Sequence, residues 1–289
     1  MRLAFRVTIA VIAISSAALA DELPFPRDHH PWGHFPVGSW KKVRTTAELL
    51  DDKEQVVNIT TTDTTTRLVA VDATGYTLRT DATVDVASRR IVAAPQTTRY
   101  GFYGETPGQA FSVKRSADAS LTIDGLLIPC EVRQVVMSSD NNKLISTVHY
   151  SSQFPPFVLR REMSVEGAAE ERTVSVEVKA SAEGKHSTTL VEVVALDLPH
   201  RIRGELRQAS HVKTTQRLPQ STKITLEVHS DEVPGGVVAH WASETNTTGR
   251  VLRRSTLELT EYSVPSSEGQ PQPLPFRRPR KAARRMDIR

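Results

Sequence analysis

Cys130 is the only cysteine in 289 residues. A single thiol closes no internal disulfide, so the fold must rest on its core. Aromatic residues are scarce at 6%, which makes the position of each one informative. No later apolar run reaches the roughly eighteen residues that a membrane-spanning helix needs. The G-x-S-x-G elbow, H-E-x-x-H, the P-loop and the dinucleotide fingerprint are missing as well. With them go the enzyme classes that can be read from local sequence. No segment carries an amphipathic helical pattern of about three turns.

Acidic charge is short only at the two ends. The chain carries a formal +4, but Arg2 and Arg6 lie in the first segment and residues 277–289 hold seven basic side chains against Asp287. Residues 21–276 are therefore mildly acidic, and the pI near 9.3 describes the ends.

Residues 1–20 read as a secretory signal. Arg2 and Arg6 form the charged region, 7–14 the apolar run, and Ala18-Leu19-Ala20 the small-residue cleavage site. The expectation is export to the periplasm or beyond, with no membrane span in the mature chain. Residues 21–40 contain Pro24, Pro26, Pro31 and Pro36, which exclude a helix or an interior strand. An extended segment pinned to the body by Trp32, Phe35 and Trp40 fits this composition.

From residue 41 to 264 the pattern is strand after strand. Six threonines between Ile59 and Thr66 favour a pleated, half-exposed surface. Strands are expected at 41–50, 55–71, 76–86, 121–128, 132–137, 144–150, 157–165, 173–182, 188–198, 222–229, 237–243 and 250–264. The 173–182 strand has the cleanest alternation, and 188–198, apolar on both faces, belongs inside the sheet. Residues 100–108 read as an aromatic–glycine loop capping the sheet, and 202–215 as a strand or short helix. Ile224, Leu226 and Val228 are expected to face inward, and Pro234-Gly235 to make a type II turn. The fold class is mostly β, an antiparallel meander forming a curved sheet, half-barrel or sandwich.

A weak echo runs through the body at an offset of 78. Thr147 matches Thr225, Ser152 matches Ser230, Pro156 matches Pro234, Glu166 matches Glu244 and Arg172 matches Arg250. It suggests repeated β units over 130–182 and 208–264.

His29, His30 and His34 form a histidine cluster whose spacing can converge on Zn, Cu or Ni if the backbone turns. No carboxylate or Cys completes a recognised metal pattern, so the favoured reading is polar groups on an extended surface segment. Cys130 reads as a small buried hydrophobe, with a nucleophile or intermolecular cross-link as the alternative. His229-Ser230-Asp231 holds triad residue types, but strand neighbours point to opposite faces and form no relay. No cofactor is implied. Residues 265–289, rich in Pro, Ser, Gln and Arg, read as a disordered tail. Its Arg277, Arg278, Arg280, Lys281, Arg284 and Arg285 suit a polyanion, and export makes an anionic envelope surface a better fit than nucleic acid.

The run His30-Pro31-Trp32-Gly33, followed by Phe35 and by Gly38-Ser39-Trp40, resembles the opening of a group of bacterial exported proteins to which no activity attaches. The strand pattern of the body resembles the half-barrel lipid carriers of the bacterial envelope, the LolA-like and LppX-like proteins. That resemblance implies a curved sheet around an apolar cavity, plugged by helices that this sequence does not show. The expectation is a non-catalytic exported protein that binds an apolar or amphipathic ligand in a curved sheet. The alternatives are a β-sandwich interaction module and a hydrolase whose site forms only in the fold.

Overall fold

Alternating β-branched and polar residues build one sheet. The computed structural model describes residues 23–139, 142–167 and 187–265. Its strands form a single open, curved, antiparallel sheet of 14 strands. In chain order they are β1 (Trp40–Leu50), β2 (Val56–Val71), β3 (Gly75–Val86), β4 (Arg89–Val92), β5 (Gln96–Gly101), β6 (Ala110–Ile123) and β7 (Leu126–Ser139). Then come β8 (Asn142–Tyr150), β9 (Val158–Gly167), β10 (Thr188–Ile202), β11 (Glu205–Arg217), β12 (Ser221–His229), β13 (Val237–Asn246) and β14 (Val251–Ser263). The order across the sheet is β4-β3-β2-β1-β14-β13-β12-β11-β10-β9-β8-β7-β6, with β5 also paired to β3. The first strand therefore pairs with the last, and the link from β5 to β6 carries the chain from one edge to the other.

Tight turns set the register. Ala87-Ser88, Asp124-Gly125 and Arg203-Gly204 all hold two successive left-handed residues. That is the type I′ geometry whose twist matches a β-hairpin. Asp124-Gly125 divides the stretch 121–128, which is two strands and a turn rather than the one strand expected from its apolar content. Residues 202–215 are likewise the end of β10, a turn and most of β11, with no helix. The 100–108 loop is preceded by β5 and followed by β6, neither of which the alternation revealed. Gly235 has φ of 74° after Pro234, and Gly236 N–H donates to Val233 O at 2.8 Å, as a type II turn requires. The strand expected at 173–182 lies outside the described residues.

The sheet also contains a doubled unit. Adding 79 to the bounds of β7, β8 and β9 reproduces those of β11, β12 and β13 to within a residue, and the two I′ turns coincide. The loops after β8 and β12 share a hydrogen-bond pattern. Ser151 N–H donates to Phe157 O and Ser230 N–H to Gly236 O, both at 2.8 Å. Phe157 N–H donates to Phe154 O and Gly236 N–H to Val233 O, again both at 2.8 Å. Both hairpins carry a bulge at the same place, at His149/Tyr150 and Val228/His229. In this register Ser151, not Ser152, stands where Ser230 does, and Pro155, not Pro156, where Pro234 does. Both serines are buried.

Three apolar clusters stabilise the curvature. The first gathers Phe25, Trp32, Leu68, Tyr76, Phe102, Tyr103, Val135 and Tyr150, and so joins both edges of the sheet through the N-terminal segment. The second seats the β6–β7 hairpin, through Ile123, Ile128 and Cys130, on Leu159, Val193 and Val212. Leu196 N–H donates to Asp124 Oδ2 beside it. The third repeats that arrangement one unit later, with Ile202, Ala209 and Val228 against Leu259 and Tyr262 of β14. Beyond these clusters no further buried apolar cluster covers the sheet among the described residues. There the expected inward set of β12 is corrected. Ile224 and Leu226 are exposed at 42% and 49%, and only Val228 is buried. Thr225 and Glu227 take the concave side, because that face carries the strand's polar partners and the convex face is open to water.

Candidate functional site

Residues 23–39 cross the concave side as a strap, and proline shapes it. Pro26 precedes a single 3-10 turn, Arg27–His29, and the backbone then folds over His30. The Trp32 and Gly33 N–H groups both donate to His30 Nδ1 at 3.2 Å. A nitrogen that accepts twice carries no proton, so His30 is neutral. Burial first, and the nearby His34 charge second, push its pKa down to about 3.

The strap grips both loops of the doubled unit. At the first, His29 Nδ1 lies 2.6 Å from the Tyr150 hydroxyl, and its ring stacks on Phe157 at 4.0 Å between centroids. At the second, Gly235 N–H donates to Pro31 O at 2.9 Å and His34 Nε2 lies 3.0 Å from Asp231 O. Only glycine fits at 235, because a Cβ there would meet the Trp32 ring at 2.6 Å. At the sheet's far edge the Tyr103 hydroxyl donates to Leu23 O at 3.0 Å and accepts from Arg133 at 2.7 Å. Arg133 also pairs with Glu131 at 2.7 Å and lies 4.3 Å over the Tyr150 ring.

His29, His30 and His34 therefore do not converge. Each imidazole points to a different partner, and no group of three His, Cys, Asp or Glu side chains among the described residues is arranged to hold a metal. Phe102 and Tyr103 of the aromatic–glycine loop are core residues under the strap. His229 Nε2 bonds Glu227 Oε2 at 2.8 Å, and Ser230 is buried in its loop, so the three neighbours form no relay. Arg277, Arg278, Arg280, Lys281, Arg284 and Arg285 lie outside the described residues, as does the segment 1–20.

Below the strap the register assembles a polar group that no local motif announces. Glu227, His240, Leu257, Thr45, Thr62 and Val84 follow one another across six strands, and Thr225, Ala242, Ser255, Ala47, Thr60 and Val86 form the next row. Lys41 reaches over them to donate to Gly235 O at 3.3 Å and Val237 O at 3.1 Å, 5.9 Å from the Trp32 ring centre. Burial pulls its pKa down to about 8, against the attraction of Glu227. Burial alone pushes the Glu227 carboxyl up. The His229 hydrogen bond and the charges of His229, His240 and Lys41 outweigh it and hold the carboxyl below its usual range. His240 is held down, chiefly by burial. Ser255 Oγ lies 3.4 Å from His240 Nε2.

The charged group borders a floor of small side chains. Thr45, Thr60, Thr62, Val84, Ser255 and Leu257 are all half-buried, and none of them belongs to an apolar core cluster among the described residues. Arg161 on β9 is a second interior cation, three strands along the sheet from Glu227. It donates to Ser146 Oγ and Tyr103 O, both at 3.2 Å, and burial pulls it below its ordinary value. Of these residues only Glu227, His229 and His240 sit near a position the sequence singled out. Lys41 and Ser255 are distant from them in sequence and meet them only through register.

No protein-family model matches the chain, and no curated protein matches it. Among solved structures it is similar to a candidate lipoprotein from Parabacteroides distasonis, with TM-score 0.32 and 10% identity over 79% of this chain and 97% of that one. It is also similar to an exported protein with a YmcC-like fold from Bacteroides fragilis, with TM-score 0.30 and 10% identity over 79% and 98% of the two chains. Likenesses of this order carry no functional argument for this chain.

Proposed function

We propose that the chain is an exported, non-catalytic binding protein of the cell envelope that holds an amphipathic ligand on the concave face beside the strap. The observation that supports this is the half-buried floor of Thr, Ala, Val and Leu side chains ending at Lys41, Glu227, His229 and His240. An apolar chain would lie along the floor, and a polar head would meet the charged group at the strap. The signal-like residues 1–20 and the basic residues 277–285 support export and attachment to an anionic surface. No helix among the described residues is long and apolar enough to cross a membrane. The test is native mass spectrometry of the protein from its host's envelope fraction, with a lipophilic dye titrated into the purified protein. An added mass of lipid size and a saturable dye response are expected. A clean apo mass with no dye response removes the reading.

The 3.4 Å approach of Ser255 Oγ to His240 Nε2 supports a second reading, a serine hydrolase. Against it, Glu227 is bound to His229 rather than orienting His240. Labelling by a fluorophosphonate probe that disappears in Ser255→Ala would establish it.

A further inference from the structure

The doubled unit is not used the same way twice. In the second copy the loop is tied to its hairpin. Arg207 on β11 reaches Glu232 of the loop and Glu205 of its own strand. The first copy has Ile128 and Gln153 at the positions of Arg207 and Glu232, which cannot form that tie. There, between β6–β7 and the loop after β8, a cavity of about 560 Å3 stays open. It is of the size that small-molecule sites have.

We propose that this cavity binds a neutral saccharide unit. Its lining includes the Asp118 and Glu131 carboxylates, the Ser151 and Ser152 hydroxyls, the Gln153 amide and Tyr150. The two acids are cross-strand partners. Each is already paired, Asp118 with Arg115 at 2.6 Å and Glu131 with Arg133 at 2.7 Å. A free cation or anion therefore gains little there, because each carboxylate is already matched by an arginine. A wholly apolar ligand would suit Ala119, Pro129 and Cys130 but would strip water from the hydroxyl, amide and carboxylate groups around them. A neutral polyol avoids all three penalties. Its hydroxyls donate to the carboxylates and accept from Gln153 and the serines. The cavity shares no lining residue with the floor and charged group described above, so it stands or falls independently of that reading.

Saturation-transfer NMR on the mature full-length protein tests this, with the methyl glycosides of glucose, galactose, mannose and N-acetylglucosamine as probes. At least one should give a saturable response, with binding weakened about tenfold or more by Gln153→Ala and by Asp118→Asn. Both positions are exposed, so the fold should survive each change. Gln153→Arg, which adds a bulky guanidinium to the cavity lining, should abolish the response. Silence from all four glycosides overturns the proposal, as does a response that all three variants leave unchanged.

Discussion

Phe157 and Gly236 occupy the same place in two equivalent loops, and both have left-handed backbone, φ of 66° and 73°. Glycine adopts that conformation freely, whereas a side chain costs about 1–2 kcal/mol there. Phe157 is kept because its ring stacks on His29 of the strap.

The second loop offers a clean comparison of two glycines. At Gly236 a Cβ would meet only His229 and Pro31 at 3.4 and 3.7 Å, so Gly236→Ala should cost about 1 kcal/mol from backbone strain alone. Gly235→Ala should cost clearly more, because it also displaces Trp32. Urea unfolding of both variants measures the difference, and equal losses would show that the strap does not press on the loop.

Trp32 is buried and touches both the loop and Lys41. Trp32→Ala should lower stability by about 3–5 kcal/mol, the usual range for emptying an aromatic site. A loss under about 1 kcal/mol, read from the same unfolding curves, would mean that the strap is held elsewhere.

His30 makes stability fall in acid. Its folded pKa, near 3, lies below the ordinary 6.5, so the native state binds fewer protons than the unfolded chain in between. The stability His30 provides is complete above about pH 6.5 and is lost progressively as pH falls toward 3. His30→Asn, which offers an oxygen to the same backbone N–H groups, should flatten that slope while lowering stability at pH 7. An unchanged slope in thermal melts across this range would exclude His30 as its source.

Cys130 is buried, and burial pushes its thiol pKa up. Ellman's reagent should react with it slowly in the native protein and at once in urea. Immediate native reaction would mean that the floor of the neighbouring cavity opens.

Strand content was legible wherever alternation met a turn signal, as in β1, β2, β3 and β8. Asp124-Gly125 is itself a strong hairpin signal, but it was hidden inside the apolar run from Leu121 to Ile128. The facing of β12 was not legible. Where a sheet is one layer thick, period two separates the faces without saying which is inside, so Ile224 and Leu226 pointed the wrong way. The repeat was visible in Ser230 and Pro234, but at an offset one residue short. Its partners at 151 and 155 sit beside near-identical neighbours, Ser152 and Pro156. Lys41, His240 and Ser255 come together beside Glu227 through pairing registers, which no single-strand pattern encodes.

The strap also sets the order of folding events. It precedes the sheet in the chain, yet its contacts lie on β3, on the β5–β6 link, on β7 and on the loop at 230–236. It can seat only after some two hundred later residues have emerged and paired. Contacts so far apart in sequence close slowly. A chain released from its N-terminus first would therefore carry Trp32 and its strap neighbours only partly covered until the loop at 230–236 forms. During that interval these side chains are a point where a chaperone can hold the protein, and where two incomplete copies can stick together.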